Sequence, residues 1–375
     1  MAPDLPTVGF VVDDLGHGGA QKQLVLLAEA LRPRFATRVY ALSPVDAPHG
    51  PRLRARGVPV TAFPRRSGLD FERLQGLTRA LAADRVDVVH GFLDASDIYA
   101  FLAGRRIGKP VVLSLQSDRL QLKGARGRVL RWMHRHADAV TVNSEAGRDY
   151  LVERVRVARD SVHVVRNIAD VFAGPRGGEP TPPVVGCVGR LVALKRFDAA
   201  VRALPEVRAQ VPGTRLELVG DGPAREELRA LSASLGVGDA VAFAGAVDDA
   251  TPLIARMSCL VLPSAFEGLP NAALEAMGCG IPVVASPVGD LASIIVDGST
   301  GVVVRDTAPA TLAAGIVRAL TDRSLRERSR QDGPRAIRER FSPEVPLSVL
   351  IPLYDRLCKR TGAAALKATT PVLGE

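Results

Sequence analysis

Short apolar runs alternate with helix-forming stretches along nearly the whole chain, and this rhythm limits the possible folds more than any single motif does. Residues 8–12, 38–41, 58–61, 86–90, 111–115, 139–142 and 162–165 have the apolar, β-branched character of strands, with helical stretches between most of them. The pattern resumes with 184–188, 216–223, 241–249, 259–262, 282–285 and 301–304. Cys259, Leu260, Val261 and Leu262 do not alternate with polar residues, as expected of a strand covered on both faces. Such alternation predicts the α/β class, built as doubly wound parallel sheets. A chain of 375 residues exceeds one typical core, and a 47% hydrophobic share is enough to fill two. Residues 173–183 are rich in Gly and Pro and nearly devoid of core formers, so they read as a linker. The predicted organisation is a first domain over 1–172, that linker, and a second domain over 184–342. Ser342 and Pro343 interrupt the closing helices, residues 343–361 carry one further apolar helix, and 362–375 read as a frayed tail.

Doubly wound sheets bind ligands beyond the carboxyl ends of their strands, so the residues that follow each strand carry the functional signal. After 259–262 come Glu267, Gly268, Leu269, Pro270 and Asn271, then a helix-forming stretch from Ala272 to Met277 that contains Glu275. Pro270 suits the first helical turn, where its missing N–H costs nothing, and Gly278 and Gly280 end the helix. Glu267 therefore lies in a loop and Glu275 on a helix, and the two carboxylates can approach one ligand from different directions. The free N–H groups at the helix start suit a phosphate. On spacing alone, an ordinary crossover with two exposed acids fits the same residues.

Behind the first strand, Gly16, Gly18 and Gly19 either let the backbone approach a ligand at a helix start or simply form a tight turn. They do not follow Gly-x-Gly-x-x-Gly, which disfavours a dinucleotide-dependent dehydrogenase. Gly189, Arg190 and Lys195 follow the strand 184–188. The two cations can face one diphosphate, Arg as a planar fork and Lys as a point charge, although basic pairs at turns are also common on surfaces. His90 ends another strand, as a cleft-lining or a structural group, and Gln116, Asp118 and Arg119 follow the next.

The segment Glu267 to Asn271 with Glu275, followed by Gly280-Ile281-Pro282-Val283-Val284-Ala285, closely resembles the signature of family 4 retaining glycosyltransferases. Gly189-Arg190-Leu191-Val192 with Lys195-Arg196-Phe197-Asp198 resembles that family's diphosphate-binding segment, and Gly18-Gly19-Ala20-Gln21 its first glycine-rich loop. Residues 137–145 resemble the segment that closes the first domain, and 165–170 its usual Pro-Asn-Gly-hydrophobic-Asp stretch without the glycine. The apolar segment 347–357 resembles the final helix, which crosses back onto the first domain.

The resemblance spans nearly the whole chain and implies the GT-B fold, two Rossmann-like domains facing a cleft. It implies that Glu267 bonds donor-sugar hydroxyls, Glu275 the nucleotide ribose, and Arg190 and Lys195 the diphosphate. Gly18, Gly19, Gly189, Gly268, Leu269, Pro270, Asn271 and the backbone at Val247 would complete the donor site. His90 matches the family's strand-end histidine and is expected to line the cleft as part of the catalytic centre. The family often has a second histidine where this chain has Gln116, so acceptor contacts are expected from Gln116, Asp118 or Arg119.

The chain contains no Asp-x-Asp triplet, and no carboxylate stands out as a covalent nucleophile. The resemblance accordingly implies a transferase that needs no metal or other cofactor and retains configuration by front-face substitution. The expected reaction moves a hexose-type sugar from a nucleotide-diphosphate sugar, UDP first and GDP next, to a hydroxyl acceptor. Synthesis of a glycan, glycolipid or cell-surface polysaccharide is the expected setting. A natural-product glycosyltransferase acting on a small aglycone, another GT-B enzyme such as a nucleotide-sugar 2-epimerase, and a silent nucleotide-sugar-binding protein are the alternatives. Intact Glu267, Glu275, Arg190 and Lys195 weigh against the silent one.

The net charge of +9 is lopsided: residues 1–172 hold 26 Lys and Arg against 18 Asp and Glu, the remainder 23 against 22. The first half is therefore expected to face something anionic. With 4% aromatic residues and no aromatic-basic stacking pattern, nucleic acid is not the expected partner. Arg128, Arg131 and Arg135 recur at helical spacing, with Lys123 and Arg126 ahead of them and Trp132 nearby. They form either a solvated face or a peripheral contact with an anionic membrane. No run of eighteen apolar residues occurs and the start, Met1-Ala2-Pro3-Asp4, lacks a basic leader. A cytoplasmic protein, with peripheral contact at the inner membrane face, is expected. Cys187, Cys259, Cys279 and Cys358 lack metal spacing and read as reduced core residues.

Overall fold

In a computed structural model that describes residues 5–64, 70–117, 120, 124–169 and 180–360, the alternation resolves into two parallel sheets. The first holds β1 (Thr7–Val12), β2 (Ala36–Ala41), β3 (Val60–Ala62), β4 (Val88–Gly91), β5 (Val111–Leu115), β6 (Ala139–Val142) and β7 (Val162–Val164). The second holds β8 (Val184–Val188), β9 (Arg215–Val219), β10 (Val241–Gly245), β11 (Cys259–Leu262), β12 (Val283–Ala285) and β13 (Gly301–Val303). Their spatial orders are β3-β2-β1-β4-β5-β6-β7 and β10-β9-β8-β11-β12-β13. Each sheet grows outward from its first strand and then restarts on that strand's other side. Val8 thus sits opposite Thr37 on β2 and Val88 on β4, and Val185 opposite Leu216 on β9 and Cys259 on β11. This is the doubly wound, two-domain GT-B architecture. Asp118, Arg119, Lys123, most of the linker and the tail 362–375 lie outside the described residues.

Helices on both faces explain the unbroken apolar strands: β5 and β11 are buried at every position. The helix Glu344–Arg360 belongs to the first core although it follows the second sheet in sequence. Its Leu350, Leu353, Tyr354 and Leu357 share one cluster with Phe10, Phe35 and Val112. Between the sheets the chain is tied by Ala169, whose N–H donates to the carbonyl of Phe341 at 2.9 Å. Pro270 differs from expectation by one place. It precedes the helix Asn271–Gly278 with an extended ψ of 123°, so the first turn begins at Asn271 and Pro270 sets the entry angle.

His90 requires a correction. It does not line the cleft: it is 1% exposed, with Nδ1 2.6 Å from the Tyr354 hydroxyl. Its Nε2 lies 2.7 Å from Ser114 Oγ and 3.2 Å from Thr141 Oγ1. Lying within β4 rather than beyond it, His90 is directed into the layer covered by the last helix, between the rings of Phe10, Phe92 and Tyr354. Burial drives its pKa down to about 3, so the ring is neutral and structural.

Because the folded value is depressed, the unfolded chain takes up the proton first. The stabilisation is complete above about pH 6.5 and is lost as the pH falls, by about 2 kcal/mol at about pH 5. Urea denaturation across this range should show that loss in the wild type. The His90→Gln variant, weaker at neutral pH, should show a flatter slope.

Candidate active site

The residues that follow β8 and β11 converge. Beyond β8 the chain turns at Gly189, whose φ of +149° few other residues adopt. A short turn, Ala193–Lys195, then carries the lysine back toward β11. Lys195 Nζ lies 2.6 Å from Glu267 Oε1, which also accepts from Ser264 Oγ at 2.6 Å. Glu267 is only 9% exposed, and its loop is pinned from behind. Gly289, at φ +56°, packs so tightly that a Cβ there would lie 2.0 Å from the Glu267 carbonyl oxygen. Arg190 is exposed and forms no side-chain hydrogen bond or ion pair with the described residues.

Glu275 is directed at the other domain. Its Oε1 lies 2.7 Å from Nζ of Lys22, on the helix Gly19–Leu31 that follows β1. Asn271 Oδ1 accepts from Gln23 Nε2 at 3.0 Å and Asn167 Nδ2 at 2.8 Å, and its Nδ2 donates to the Gly19 carbonyl at 3.0 Å. Asn167 also donates to the Leu269 carbonyl at 2.8 Å. Gln23 holds the crossover by bonding both backbone groups of Ile168, at 2.7 and 2.8 Å. Small residues permit the approach: a Cβ on Gly19 would lie 3.2 Å from Asn271 Nδ2, and one on Gly268 3.0 Å from Asn143 Oδ1. Gly18, extended at φ −178°, is the residue before the helix. Leu269 and Pro270 are buried, Val247 packs half-buried on the second core, and Gln116 is half-buried just past β5.

Two further acids that the sequence does not announce tie separate segments together. Asp13, beyond β1, accepts from the Ser96 N–H at 2.7 Å and so ties β1 to the helix Asp94–Arg106 after β4. Burial raises its pKa, against the Ser96 hydrogen bonds. Asp290 accepts from the Glu145 N–H at 3.4 Å and lies 3.8 Å from Arg166. Burial raises its pKa too, opposed by Glu145 N–H and Arg166.

Of the residues expected from sequence, the structure therefore brings together Lys195 with Glu267, and Glu275 and Asn271 with the Gly18–Gly19 helix start. It leaves Arg190 exposed and without a side-chain partner among the described residues, and it buries His90 against Tyr354. Lys22, Ser264, Gln23 and Asn167 are the additions. Lys22 stands one turn past the glycine loop, a position that signals its direction but not its partner. Among the described residues no group of three or more His, Cys, Asp or Glu side chains is arranged to hold a metal ion. Cations and helix N–H groups beside two ionisable, largely buried carboxylates suit a ligand that carries both hydroxyls and phosphates.

Comparison with known proteins agrees with this geometry. Residues 17–171 match the family described as Glycosyltransferase Family 4, and residues 182–322 the one described as Glycosyl transferases group 1. The 2-deoxystreptamine N-acetyl-D-glucosaminyltransferase of Streptomyces fradiae is 30% identical over 348 residues, 80% of this chain and 82% of that protein. The alpha-D-kanosaminyltransferase of Streptomyces kanamyceticus is 28% identical over 340 residues, 78% of this chain and 87% of that one. Among solved structures, Anabaena Alr3699/HepE in complex with UDP and glucose superposes with a TM-score of 0.79 at 20% identity, over 95% of this chain and 99% of that one. The chain belongs to glycosyltransferase family 4, with the GT-B fold, and is a glycosyltransferase that takes its sugar from a nucleotide sugar.

Proposed function

We propose that the protein transfers a hexose-type sugar, with retention, from a nucleotide-diphosphate sugar to a hydroxyl acceptor in glycan, glycolipid or polysaccharide synthesis. UDP is the first nucleotide and GDP the second. The observation that carries this reading is the meeting of Lys195 and Glu267 beyond the adjoining ends of β8 and β11. Residues 184–342 would hold the donor and residues 1–172 the acceptor, with Gln116 on the acceptor side. Asp118 and Arg119 remain acceptor candidates by sequence position.

In this reading Glu267 accepts hydroxyls of the sugar and Glu275 those of the ribose, while Gly18, Gly19 and the helix start at Asn271 approach the phosphates. The bond from C1 to the β-phosphate oxygen breaks as the acceptor oxygen bonds C1 on the same face. The acceptor's proton passes to that departing phosphate oxygen. Negative charge grows on the diphosphate, where Arg190, Lys195 and the helix N–H groups stabilise it without a metal. Closure of the cleft would keep water from the donor.

The match with the Streptomyces fradiae enzyme favours a second reading, a small aminocyclitol or other natural-product acceptor. The first reading gains support from the helix Gly124–His136. Arg126, Arg128 and Arg135 are exposed on it and Arg131 half-buried. Val129 is 46% and Trp132 47% exposed between them. An apolar wedge ringed by arginines suits the interface of an anionic bilayer, where each basic residue contributes about 1 kcal/mol.

Three outcomes are expected. In thermal-shift assays one of the UDP-, GDP- or ADP-sugars should stabilise the protein and be slowly hydrolysed to free nucleotide, with or without EDTA. Glu267→Ala should lower that turnover by more than about tenfold, about 1.4 kcal/mol of barrier. The protein should sediment with vesicles containing phosphatidylglycerol but not with phosphatidylcholine alone, and a variant combining Arg128→Glu with Trp132→Ala should stay in solution.

A further inference from the structure

Among the described residues Lys22 is the one cation that reaches the second domain's Glu275 from the first domain, and no part of the proposed chemistry has yet used it. The pair is close, at 2.7 Å, and largely withdrawn from water, with the lysine side chain 18% and the carboxylate 8% exposed. We infer that Lys22 is a positioning residue of the nucleotide site, which neutralises Glu275 so that this carboxylate can accept ribose hydroxyls beside a diphosphate. The inference rests on the reading of Glu275 as the ribose ligand.

The physical reasoning starts from charge. A poorly hydrated carboxylate close to a nucleoside diphosphate repels it, and the repulsion is weakly screened where water is excluded. Lys22 removes this repulsion and uses only Oε1, which leaves Oε2 of Glu275 for a hydroxyl. Lys195 plays the corresponding part for Glu267, but from within the same domain. The ribose end of the site is therefore complete only when the helix Gly19–Leu31 and the helix Asn271–Gly278 are in contact. Gly19, Gln23 and Asn271 hold the two helices in that contact.

The test is a double-mutant cycle on the full-length protein, read by calorimetric binding of whichever of UDP, GDP and ADP binds the wild type. Lys22→Met keeps the length and the apolar stem of the side chain. It should weaken binding of the nucleoside diphosphate about tenfold, and binding of the uncharged nucleoside much less, because charge compensation is what is lost. In a Glu275→Gln background, where no carboxylate charge remains to compensate, the same Lys22→Met change should cost less than about twofold.

An equal loss in both backgrounds, or an equal loss for nucleoside and diphosphate, would overturn the inference and make Lys22 an independent contact or a packing residue. An unchanged affinity in Lys22→Met would overturn it too, leaving the nucleotide reading intact. If the wild type binds none of the three diphosphates, both readings fall together. Lys22→Gln, with matching circular dichroism, serves as the second variant should the methionine disturb folding.

Discussion

A parallel sheet that reverses its winding must leave a crevice. On one side of β1 the connections pass over one face, and on the other side over the opposite face, so the winding reverses between the ends of β1 and β4. The same holds for β8 and β11. These gaps are where backbone loops can present groups to a ligand rather than to the core. The loop of Gly18 and Gly19 occupies the first gap, and those of Lys195 and Glu267 the second. The two gaps face each other, as the bonds from Asn271 to Gly19 and from Glu275 to Lys22 show. The tight turn at Gly289 and the buried strands serve mainly to hold these few loops still.

Charge is distributed in the cleft with the same economy. Glu267 and Glu275 each meet one lysine, and each does so through Oε1 alone. Burying an ion pair adds little stability, since desolvation offsets the attraction. The arrangement instead fixes where each carboxylate points. Asp13 and Asp290 differ: each accepts from a backbone N–H of another segment, at Ser96 and at Glu145, and so ties that segment to its own.

The sequence shows the strands because burial on both faces makes each a continuous apolar run. It shows Glu267 and Glu275 because Gly268, Pro270 and Gly280 fix the turns around them. His90 is misread for a physical reason. A residue near a strand's end can project past the sheet or into a covering layer, and that choice was made by Tyr354, 264 positions away. Lys22 is equally hidden, since its partner lies 253 positions on. Asn167 and Gln23 look like ordinary polar residues until Asn271 is brought beside them. Pairings of this range have no local trace in composition or periodicity.

The last helix has a consequence for how such a chain can be recombined. Residues 344–360 are encoded after the second sheet, yet Leu350, Leu353, Tyr354 and Leu357 cover the first. The first folding unit is therefore discontinuous along the gene. A chimera that exchanges first domains between two relatives by a single cut near residue 173 would join a foreign first sheet to the old covering helix. Its buried polar set, His90 with Tyr354, would then be mismatched inside the core. Exchange that preserves folding has to take two pieces together, the segment before the linker and the helix that closes over it.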